Sequence, residues 1–155
     1  MEIERKYTIK ELPANLDSYP CHLIEQAYLN TNPVVRIRKE DDTYYLTYKG
    51  SGMMAREEYN LPLNEESYYH LLEKADGIVI TKKRYVLPLT DFQPDNKDNL
   101  SIELDIFEGK LAPLIIAEIE FPTKEMADAF TPPDIFLDDV TFDPKYHNSN
   151  LSKGL

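Results

Sequence analysis

The chain has 155 residues, 42% of them hydrophobic and 29% charged, which is typical of a water-soluble globular protein long enough to build a real core. Its formal net charge of −11 argues against general nucleic-acid binding, and no run of about 18 apolar residues predicts a membrane span. No apolar signal core follows Met1, and the single Cys21 cannot form an internal disulfide, so we expect one domain, residues 1–155, in the cytoplasm.

Short strands are predicted along most of the chain, because β-branched and aromatic residues recur at alternate positions. In chain order, the predicted elements are strands 2–9, 23–29, 33–39, 43–49 and 55–61, a helix 65–76, strands 78–87, 100–107 and 114–121, and a helix 124–130. Asn64 and Thr123 are the expected helix N-caps, and Gly77 is the expected end of the first helix. Residues 91–99 are predicted to form a polar loop, and the segment after Pro132-Pro133 is expected to be irregular or briefly helical. These elements predict a mainly β (α+β) fold, an eight-stranded antiparallel closed β-barrel with a few peripheral helices.

Charged residues are concentrated on one face of most predicted strands. Residues i and i+2 of a strand face the same way, so Glu2, Glu4 and Lys6 share a face, as do Glu118 and Glu120. For any single strand, an ordinary wet outer face explains this pattern. Taken together, however, the charged faces consist mostly of ionised residues in recurring Glu-x-Glu and Arg-x-Arg pairs. If these faces turn inward, the barrel interior collects Glu2, Glu4, Glu58, Glu103, Asp105, Glu118 and Glu120 with Lys6, Arg36, Arg38, Lys49, Arg56, Lys82 and Arg84.

An interior of this kind is costly, since a buried charge destabilises the fold unless it is paired or bound to metal. The arrangement is explained if the interior is wet and holds a highly charged ligand. Arg and Lys side chains suit phosphate oxygens, and clustered carboxylates suit Mg²⁺ or Mn²⁺. A metal-bound triphosphate satisfies both sets of side chains. The sequence therefore predicts a site for a small-molecule triphosphate and divalent metal, although the chain as a whole is acidic.

The same residues form an ordered set of motifs. In chain order these are Glu2-Ile3-Glu4-Arg5-Lys6, Arg36-Ile37-Arg38, Tyr48-Lys49-Gly50, Arg56-Glu57-Glu58-Tyr59, Lys82-Lys83-Arg84, Glu103-Leu104-Asp105, Glu118-Ile119-Glu120 and Tyr146-His147-Asn148-Ser149-Asn150-Leu151. The set resembles the CYTH superfamily, the triphosphate tunnel metalloenzymes, and is most similar to its short bacterial triphosphatases of clostridial type. The resemblance covers nearly the whole chain, with His147 standing where serine is usual. It implies an eight-stranded barrel, open as a tunnel, that acts on triphosphates.

Roles for individual residues follow from the resemblance. The implied ligands of one or two Mg²⁺ or Mn²⁺ ions are Glu2, Glu4, Glu118 and Glu120, with Glu103 and Asp105 as weaker candidates. The implied phosphate-binding bases are Lys6, Arg36, Arg38, Lys49, Lys82, Arg84 and Arg56, the last of which could instead pair with Glu58. The residues expected to act in the reaction itself are Glu4, Lys6, Arg38 and Glu58. Water would attack the terminal phosphorus of inorganic triphosphate or a nucleoside triphosphate, and residues 144–155, with His147, would either close the tunnel mouth or pack on the surface.

Three other functions share parts of this pattern. A class IV adenylyl cyclase would need a purine pocket and a group that activates the ribose 3′-OH, and the sequence specifies neither. A thiamine triphosphatase would need an aromatic slot, for which Tyr28, Tyr45 and Tyr48 could stack. A non-catalytic polyphosphate binder could dispense with the metal carboxylates. The group attached to the triphosphate, the metal and the oligomeric state, monomer or homodimer, stay open at this point.

Overall fold

A computed structural model of the chain describes residues 1–154. The described residues form ten strands: β1 (Glu2–Ile9), β2 (Cys21–Thr31), β3 (Val34–Glu40), β4 (Thr43–Lys49), β5 (Ala55–Arg56), β6 (Glu58–Leu63), β7 (Asp76–Pro88), β8 (Ser101–Phe107), β9 (Ile115–Glu120) and β10 (Phe136–Asp139). They also form three α-helices: α1 (Glu65–Leu72), α2 (Lys124–Ala129) and α3 (Asn148–Leu151). Short 3-10 turns lie at Leu16–Ser18, Leu89–Asp91, Gly109–Leu111 and Pro144–Tyr146. Within residues 1–154, no helix is long and apolar enough to cross a membrane.

The strands belong to one antiparallel sheet in the order β10-β1-β9-β8-β7-β2-β3-β4-β6, with β5 paired to β1. β5 and β6 are two parts of one interrupted strand, since only Glu57 separates them. β6 pairs with β4 along its whole length, whereas β5 pairs with β1 at two positions, Glu2↔Arg56 and Ile3↔Ala55. The sheet therefore curls into an eight-stranded barrel that closes on itself through a short contact. The predicted mainly β barrel with peripheral helices is confirmed.

The apolar faces of the strands point out of the barrel, where helices and loops cover them. One core lies outside β1, β8 and β9 and includes the fully buried Ile119 together with Ala127 of α2. A second core lies outside β2, β3 and β4, where Ile37 is fully buried against Tyr68 of α1. Each large apolar side chain buried in this way contributes about 1.5–3 kcal/mol. The barrel is thus stabilised from its outer surface, which leaves its interior for polar groups.

Apolar side chains also fill one end of the barrel interior. Ile80 and Ile116 stand two positions before Lys82 and Glu118 in their strands, so all four side chains face the inside. Both isoleucines are buried in one cluster with Leu151 of α3. The last segment of the chain therefore packs against one end of the interior.

Both helix N-caps are confirmed. Asn64 Oδ1 accepts a hydrogen bond from the backbone N–H of Ser67 at 2.7 Å, and Thr123 Oγ1 accepts one from that of Met126 at 3.2 Å. These side chains satisfy backbone N–H groups that a helix start leaves without a partner. Helices α1 and α2 therefore begin where the sequence predicts.

Two local predictions are wrong. The first helix ends at Leu72, and Gly77 lies inside β7. Gly77 has a φ of +70°, and a Cβ there would stand 2.2 Å from the carbonyl oxygen of Ser152, so the close approach of the C-terminal segment explains this glycine. The segment after Pro133, expected to be irregular or helical, also contains β10, which extends the sheet beside β1.

Candidate active site

The inward faces of the strands enclose a cavity of about 390 Å³. This volume lies at the small end of the range for ligand sites, about 300–1,000 Å³. The carboxylates that line it are Glu2, Glu4, Glu40, Glu58, Glu103, Glu118 and Glu120, and the basic residues are Lys6, Arg36, Arg38, Lys49, Arg56 and Arg84. Strand alternation thus brings to one cavity all the charged residues predicted for the interior except Lys82 and Asp105.

β1 and β9 form the acidic side of the cavity. Glu4 stands directly opposite Glu120 in the register of these strands, and Lys6 stands opposite Glu118. Glu118 in turn faces Glu103 of β8. Burial and the charge of Glu118 raise the pKa of Glu4, and burial together with neighbouring carboxylates raises the pKa of Glu120. Like charges are therefore crowded here, and a bound cation would relieve their repulsion.

Two lysines neutralise part of this acidic side. Lys6 Nζ lies 3.2 Å from Glu118 Oε1 and 3.5 Å from Glu4 Oε1, and Lys49 Nζ lies 2.8 Å from Glu2 Oε1. Burial opposes charge on Lys6, but attraction to Glu118 and Glu4 outweighs it and raises the pKa of Lys6. Burial likewise opposes charge on Glu118, but Lys6 helps to hold the pKa of Glu118 well below its usual value. The pairing of Lys6 with Glu118 therefore favours the charged form of both side chains.

Lys82 and Asp105 lie beneath the cavity wall. Lys82 Nζ is 2.7 Å from Asp105 Oδ2, and both side chains are completely buried. Asp105 also accepts two hydrogen bonds from the guanidinium of Arg84, at 2.8 and 2.9 Å, and Arg84 reaches the cavity, where it pairs with Glu103 at 2.9 Å. Burial lowers the pKa of Lys82 to about 7 against the attraction of Asp105. The phosphate-binding role of Lys82 and the metal-binding role of Asp105 stay predictions, and the geometry gives this pair a supporting position under Arg84.

β3 forms the basic side of the cavity. Arg38 Nε and Nη2 donate to Gln26 Oε1 at 2.9 and 2.5 Å, and Arg38 Nη1 donates to Tyr45 Oη at 3.2 Å. Arg36 Nη2 donates to Thr47 Oγ1 at 3.1 Å, whereas its buried Nε has no hydrogen-bond partner among residues 1–154. Burial and the charge of Arg38 lower the pKa of Arg36. An anion in the cavity would supply both the missing acceptor and the missing negative charge.

The interrupted strand β5–β6 completes the wall. Glu58 faces Lys49 of β4, with 3.4 Å between Glu58 Oε2 and Lys49 Nζ, and Asn60 Nδ2 donates to Glu58 Oε1 at 3.2 Å. Burial opposes charge on Glu58, but attraction to Lys49 and the hydrogen bond from Asn60 help to outweigh it and lower the pKa of Glu58. Arg56 lines the cavity and makes no ion pair with Glu58 in the described structure. Its side chain is therefore available to a ligand.

Neutral polar residues around the cavity carry little signal in the sequence. Glutamine, threonine and asparagine occur on the surface of any strand. Only the folded protein shows that Gln26, Thr47 and Asn60 hydrogen-bond to the charged residues of the cavity. Alternation offers a weak signal for Thr47, which stands two positions before the inward-facing Lys49.

The C-terminal segment contributes Asn148 and Ser149 to the cavity lining. His147 is buried, and its Nε2 lies 3.0 Å from the backbone oxygen of Thr141. Burial and the positive charge of Lys6 lower the pKa of His147, which favours the neutral ring. The segment thus closes part of the interior, and a lid function for it stays a prediction.

The three tyrosines considered for stacking lie in different places. Tyr45 and Tyr28 line the cavity, but Tyr28 also belongs to the apolar cluster at its end. Tyr48 points outward, with its ring centre 6.1 Å from that of the exposed Tyr59. An aromatic slot that includes Tyr48 is therefore not formed.

The acidic side fits a divalent metal in its donor chemistry. Within residues 1–154, no three Asp, Glu, His or Cys side chains are already gathered around one point, because the lysines described above lie between the carboxylates. The side chain of Glu120 makes no hydrogen bond or ion pair with any of residues 1–154, and burial and nearby carboxylates raise its pKa. Carboxylate oxygens on adjacent strands are the ligands that Mg²⁺ and Mn²⁺ prefer. Oxygen donors and crowded negative charge both favour such a cation.

Known proteins are similar to this sequence along nearly its whole length. The profile of the CYTH domain family matches residues 1–148. An inorganic triphosphatase from Nitrosomonas europaea is 34% identical over 155 residues, covering 97% of this chain and 96% of that protein. An inorganic triphosphatase from Acetivibrio thermocellus is 36% identical over 163 residues, covering 98% of this chain and 93% of that protein.

Solved structures share the fold. The crystal structure of an inorganic triphosphatase has a TM-score of 0.70 at 29% identity and covers 100% of this chain and 96% of that chain. A Hippeastrum protein, described as a candidate adenylyl cyclase with a dominant triphosphatase activity, has a TM-score of 0.59 at 19% identity over 83% of each chain, which shows the fold alone. Since the profile match runs through every strand of the barrel and two relatives are 34% and 36% identical over nearly the whole length, this chain belongs to the CYTH domain family.

Proposed function

We propose that this protein is a metal-dependent triphosphatase that hydrolyses the terminal phosphate of inorganic triphosphate, with nucleoside triphosphates as a further substrate class. The observation that carries the proposal is the division of one cavity into an acidic side on β1 and β9 and a basic side on β3. A triphosphate with a divalent cation matches both sides, whereas phosphate alone or metal alone matches one. The two relatives named inorganic triphosphatase support the same substrate.

The basic residues bind the phosphate oxygens. Arg36 and Arg38 do so from β3, since their planar guanidinium groups match phosphate geometry and Arg36 Nε is a donor without a partner in the described chain. Arg56 and Arg84 extend this set to the neighbouring walls. Lys6, Lys49 and Lys82 add positive charge between or beneath the carboxylates.

The carboxylates of β1 and β9 hold the metal, one or two Mg²⁺ or Mn²⁺ ions. The ligands would be Glu2, Glu4, Glu118 and Glu120, and Glu103 and Asp105 of β8 are weaker candidates. The direct opposition of Glu4 and Glu120 across the two strands supports this choice. When bound, a divalent metal neutralises phosphate charge and lowers the pKa of a bound water.

The reaction is in-line attack of water on the terminal phosphorus, with cleavage of the bond to the bridging oxygen of the leaving diphosphate. Lys6 and Arg38 stabilise the negative charge on the equatorial oxygens. Glu58, whose pKa is lowered by its contacts with Lys49 and Asn60, is ionised and accepts a hydrogen bond from the attacking water. No covalent nucleophile takes part.

We also propose that residues 1–155 act as a single cytoplasmic domain on a small-molecule substrate. One sheet contains strands from Glu2 to Asp139, which supports a single unit. The free and exposed Cys21 suits a reducing compartment.

Phosphate release from a panel of substrates tests the proposed function. The panel contains inorganic triphosphate, pyrophosphate, ATP, GTP and thiamine triphosphate, each with Mg²⁺, with Mn²⁺ and with EDTA. We expect fast release from inorganic triphosphate with metal and none with EDTA. Formation of cyclic AMP from ATP would instead identify an adenylyl cyclase. Faster turnover of thiamine triphosphate than of inorganic triphosphate would identify a thiamine triphosphatase. Binding of triphosphate without turnover would identify a non-catalytic polyphosphate binder.

A further inference from the structure

The basic residues of the cavity differ in what neutralises them. Three of them lie 3.2 Å or less from a carboxylate oxygen: Lys6, Lys49 and Arg84. Arg36 makes no ion pair within residues 1–154. Arg38 has one carboxylate within ion-pair distance, that of Glu40, at 3.8 Å and without a hydrogen bond. The two arginines of β3 therefore keep most of their charge available in the cavity.

Gln26 makes the hydrogen bonds to Arg38 that a carboxylate would otherwise make. It is completely buried in β2, directly opposite Arg38 in the register. Its Oε1 accepts from two guanidinium nitrogens of Arg38, and its Nε2 donates to Tyr28 Oη at 3.2 Å, which sets the orientation of the amide. Gln26 does not line the cavity, so it acts on a ligand only through Arg38.

We propose that Gln26 is a positioning residue that fixes the guanidinium of Arg38 for phosphate binding without adding a second negative charge to that of the more distant Glu40. A carboxylate at this position would form a bidentate ion pair and neutralise the charge that attracts phosphate. The neutral amide gives the same direction without that neutralisation. Because Arg38 binds phosphate only under the proposed function, this inference rests on that proposal.

Arg36 is held in an equivalent way. Thr47 is completely buried, lies opposite Arg36 in β4 and accepts a hydrogen bond from Arg36 Nη2 at 3.1 Å. Its hydroxyl donates to Asn60 Oδ1 at 2.6 Å, which fixes the orientation of its lone pairs. Both strands that flank β3 therefore present neutral hydrogen-bond acceptors to its arginines.

Three full-length variants test the inference. Gln26→Glu keeps the volume and the acceptors for Arg38 and adds a charge. Gln26→Met keeps a similar volume, removes the acceptors and adds no charge. Gln93→Glu makes the same charge change at a surface position, where Gln93 Nε2 donates to the backbone oxygen of Thr131, and serves as the control. For each variant we would measure the Kd for inorganic triphosphate in EDTA, KM and kcat with Mg²⁺, and the melting temperature.

Gln26→Glu should weaken triphosphate binding about 10–100-fold, which corresponds to the loss of one charge-assisted contact, and should raise KM more than it lowers kcat. It should bind triphosphate less well than Gln26→Met and yet melt at or above the wild-type temperature, because it pairs a buried charge. If Gln26 only supports the fold, the order reverses, since Gln26→Glu retains the bonds to Arg38 that Gln26→Met loses.

Wild-type affinity in Gln26→Glu, or a Gln26→Glu protein that does not fold, would overturn the inference, as would an equal loss in Gln93→Glu. A wild-type protein that neither binds nor hydrolyses triphosphate would instead refute the proposed function. The two failures are therefore distinguishable.

Discussion

Replacing Asp105 by alanine should destabilise the barrel, because this carboxylate is the centre of the buried network beneath the cavity. It receives Lys82 at 2.7 Å and two donors of Arg84 at 2.8 and 2.9 Å. Without Asp105, Arg84 keeps its ion pair with Glu103 at 2.9 Å, but the only remaining hydrogen-bond acceptor for Lys82 among residues 1–154 is Asn148 Oδ1, at 3.4 Å. Removing one partner of a buried ion pair costs about 3–5 kcal/mol. Since burial already lowers the pKa of Lys82 to about 7, this lysine can lose its proton, and we expect a loss near the lower end of that range.

For a chain of 155 residues, each kcal/mol of lost stability lowers the melting temperature by about 2–4 °C. A loss of about 3 kcal/mol therefore corresponds to about 6–12 °C, which thermal melting followed by circular dichroism would measure. Asp128→Ala is the matched control, because the Lys124–Asp128 ion pair on α2 is exposed and should contribute little. Adding Lys82→Met to Asp105→Ala should recover part of the loss, since no buried amino group, charged or neutral, is then left without a partner.

An Asp105→Ala protein that melts like Asp128→Ala would refute this reasoning. A double variant less stable than Asp105→Ala alone would also refute it, because it would show that Lys82 is not the group left unsatisfied. If Asp105→Ala keeps its stability but needs more Mg²⁺ for activity, Asp105 belongs among the metal ligands.

Three further predictions concern the cavity. Glu4→Gln should reduce phosphate release to below about 1% of wild type, and retained turnover would remove Glu4 from the metal site. The variant should not melt at a lower temperature than the wild type. Burial and the charge of Glu118 raise the pKa of Glu4, so the ionised form of Glu4 destabilises the folded state at neutral pH. Arg38→Ala should raise KM for inorganic triphosphate about tenfold or more in steady-state kinetics, and unchanged KM and kcat would exclude Arg38 from phosphate binding. The folded-state pKa of Glu118 lies well below the usual 4.5, so the stability that Glu118 contributes is complete above that pH and is lost as the pH falls toward the folded-state value. Lowering the pH should accordingly destabilise the wild type more steeply than Glu118→Gln, which acid unfolding followed by circular dichroism would measure. Parallel curves of stability against pH for the two proteins would contradict the lowered pKa of Glu118.

Alternation along single strands predicts most of the cavity. The Glu2-x-Glu4-x-Lys6 and Arg36-x-Arg38 patterns place their charges on one face whatever the rest of the chain does, because side-chain direction in a strand is a local property. The inward direction of that face followed from the number of charged faces and from their unusual content of ionised residues. The structure bears out the barrel, and it places these residues around one cavity.

Other features depend on contacts between distant parts of the chain. Gly77 resembles a helix end in the sequence, but it lies in a strand with a positive φ, where the close approach of the Ser152 carbonyl oxygen leaves no room for a Cβ. Lys82 resembles a phosphate-binding base, but its burial beside Asp105 depends on the register of β7 and β8. Local sequence carries no information about such approaches.

The sequence by itself determined the strand pattern, the family resemblance and the set of charges that face inward, since each of these is encoded in spacing along the chain. Only the tertiary structure decided how those charges are neutralised. Lys6 and Arg84 lie against carboxylates, whereas Arg36 and Arg38 receive a threonine and a glutamine from neighbouring strands. The physical reason is that the charge available to a ligand depends on distances of a few ångströms across strands, and these distances are set by register and barrel closure.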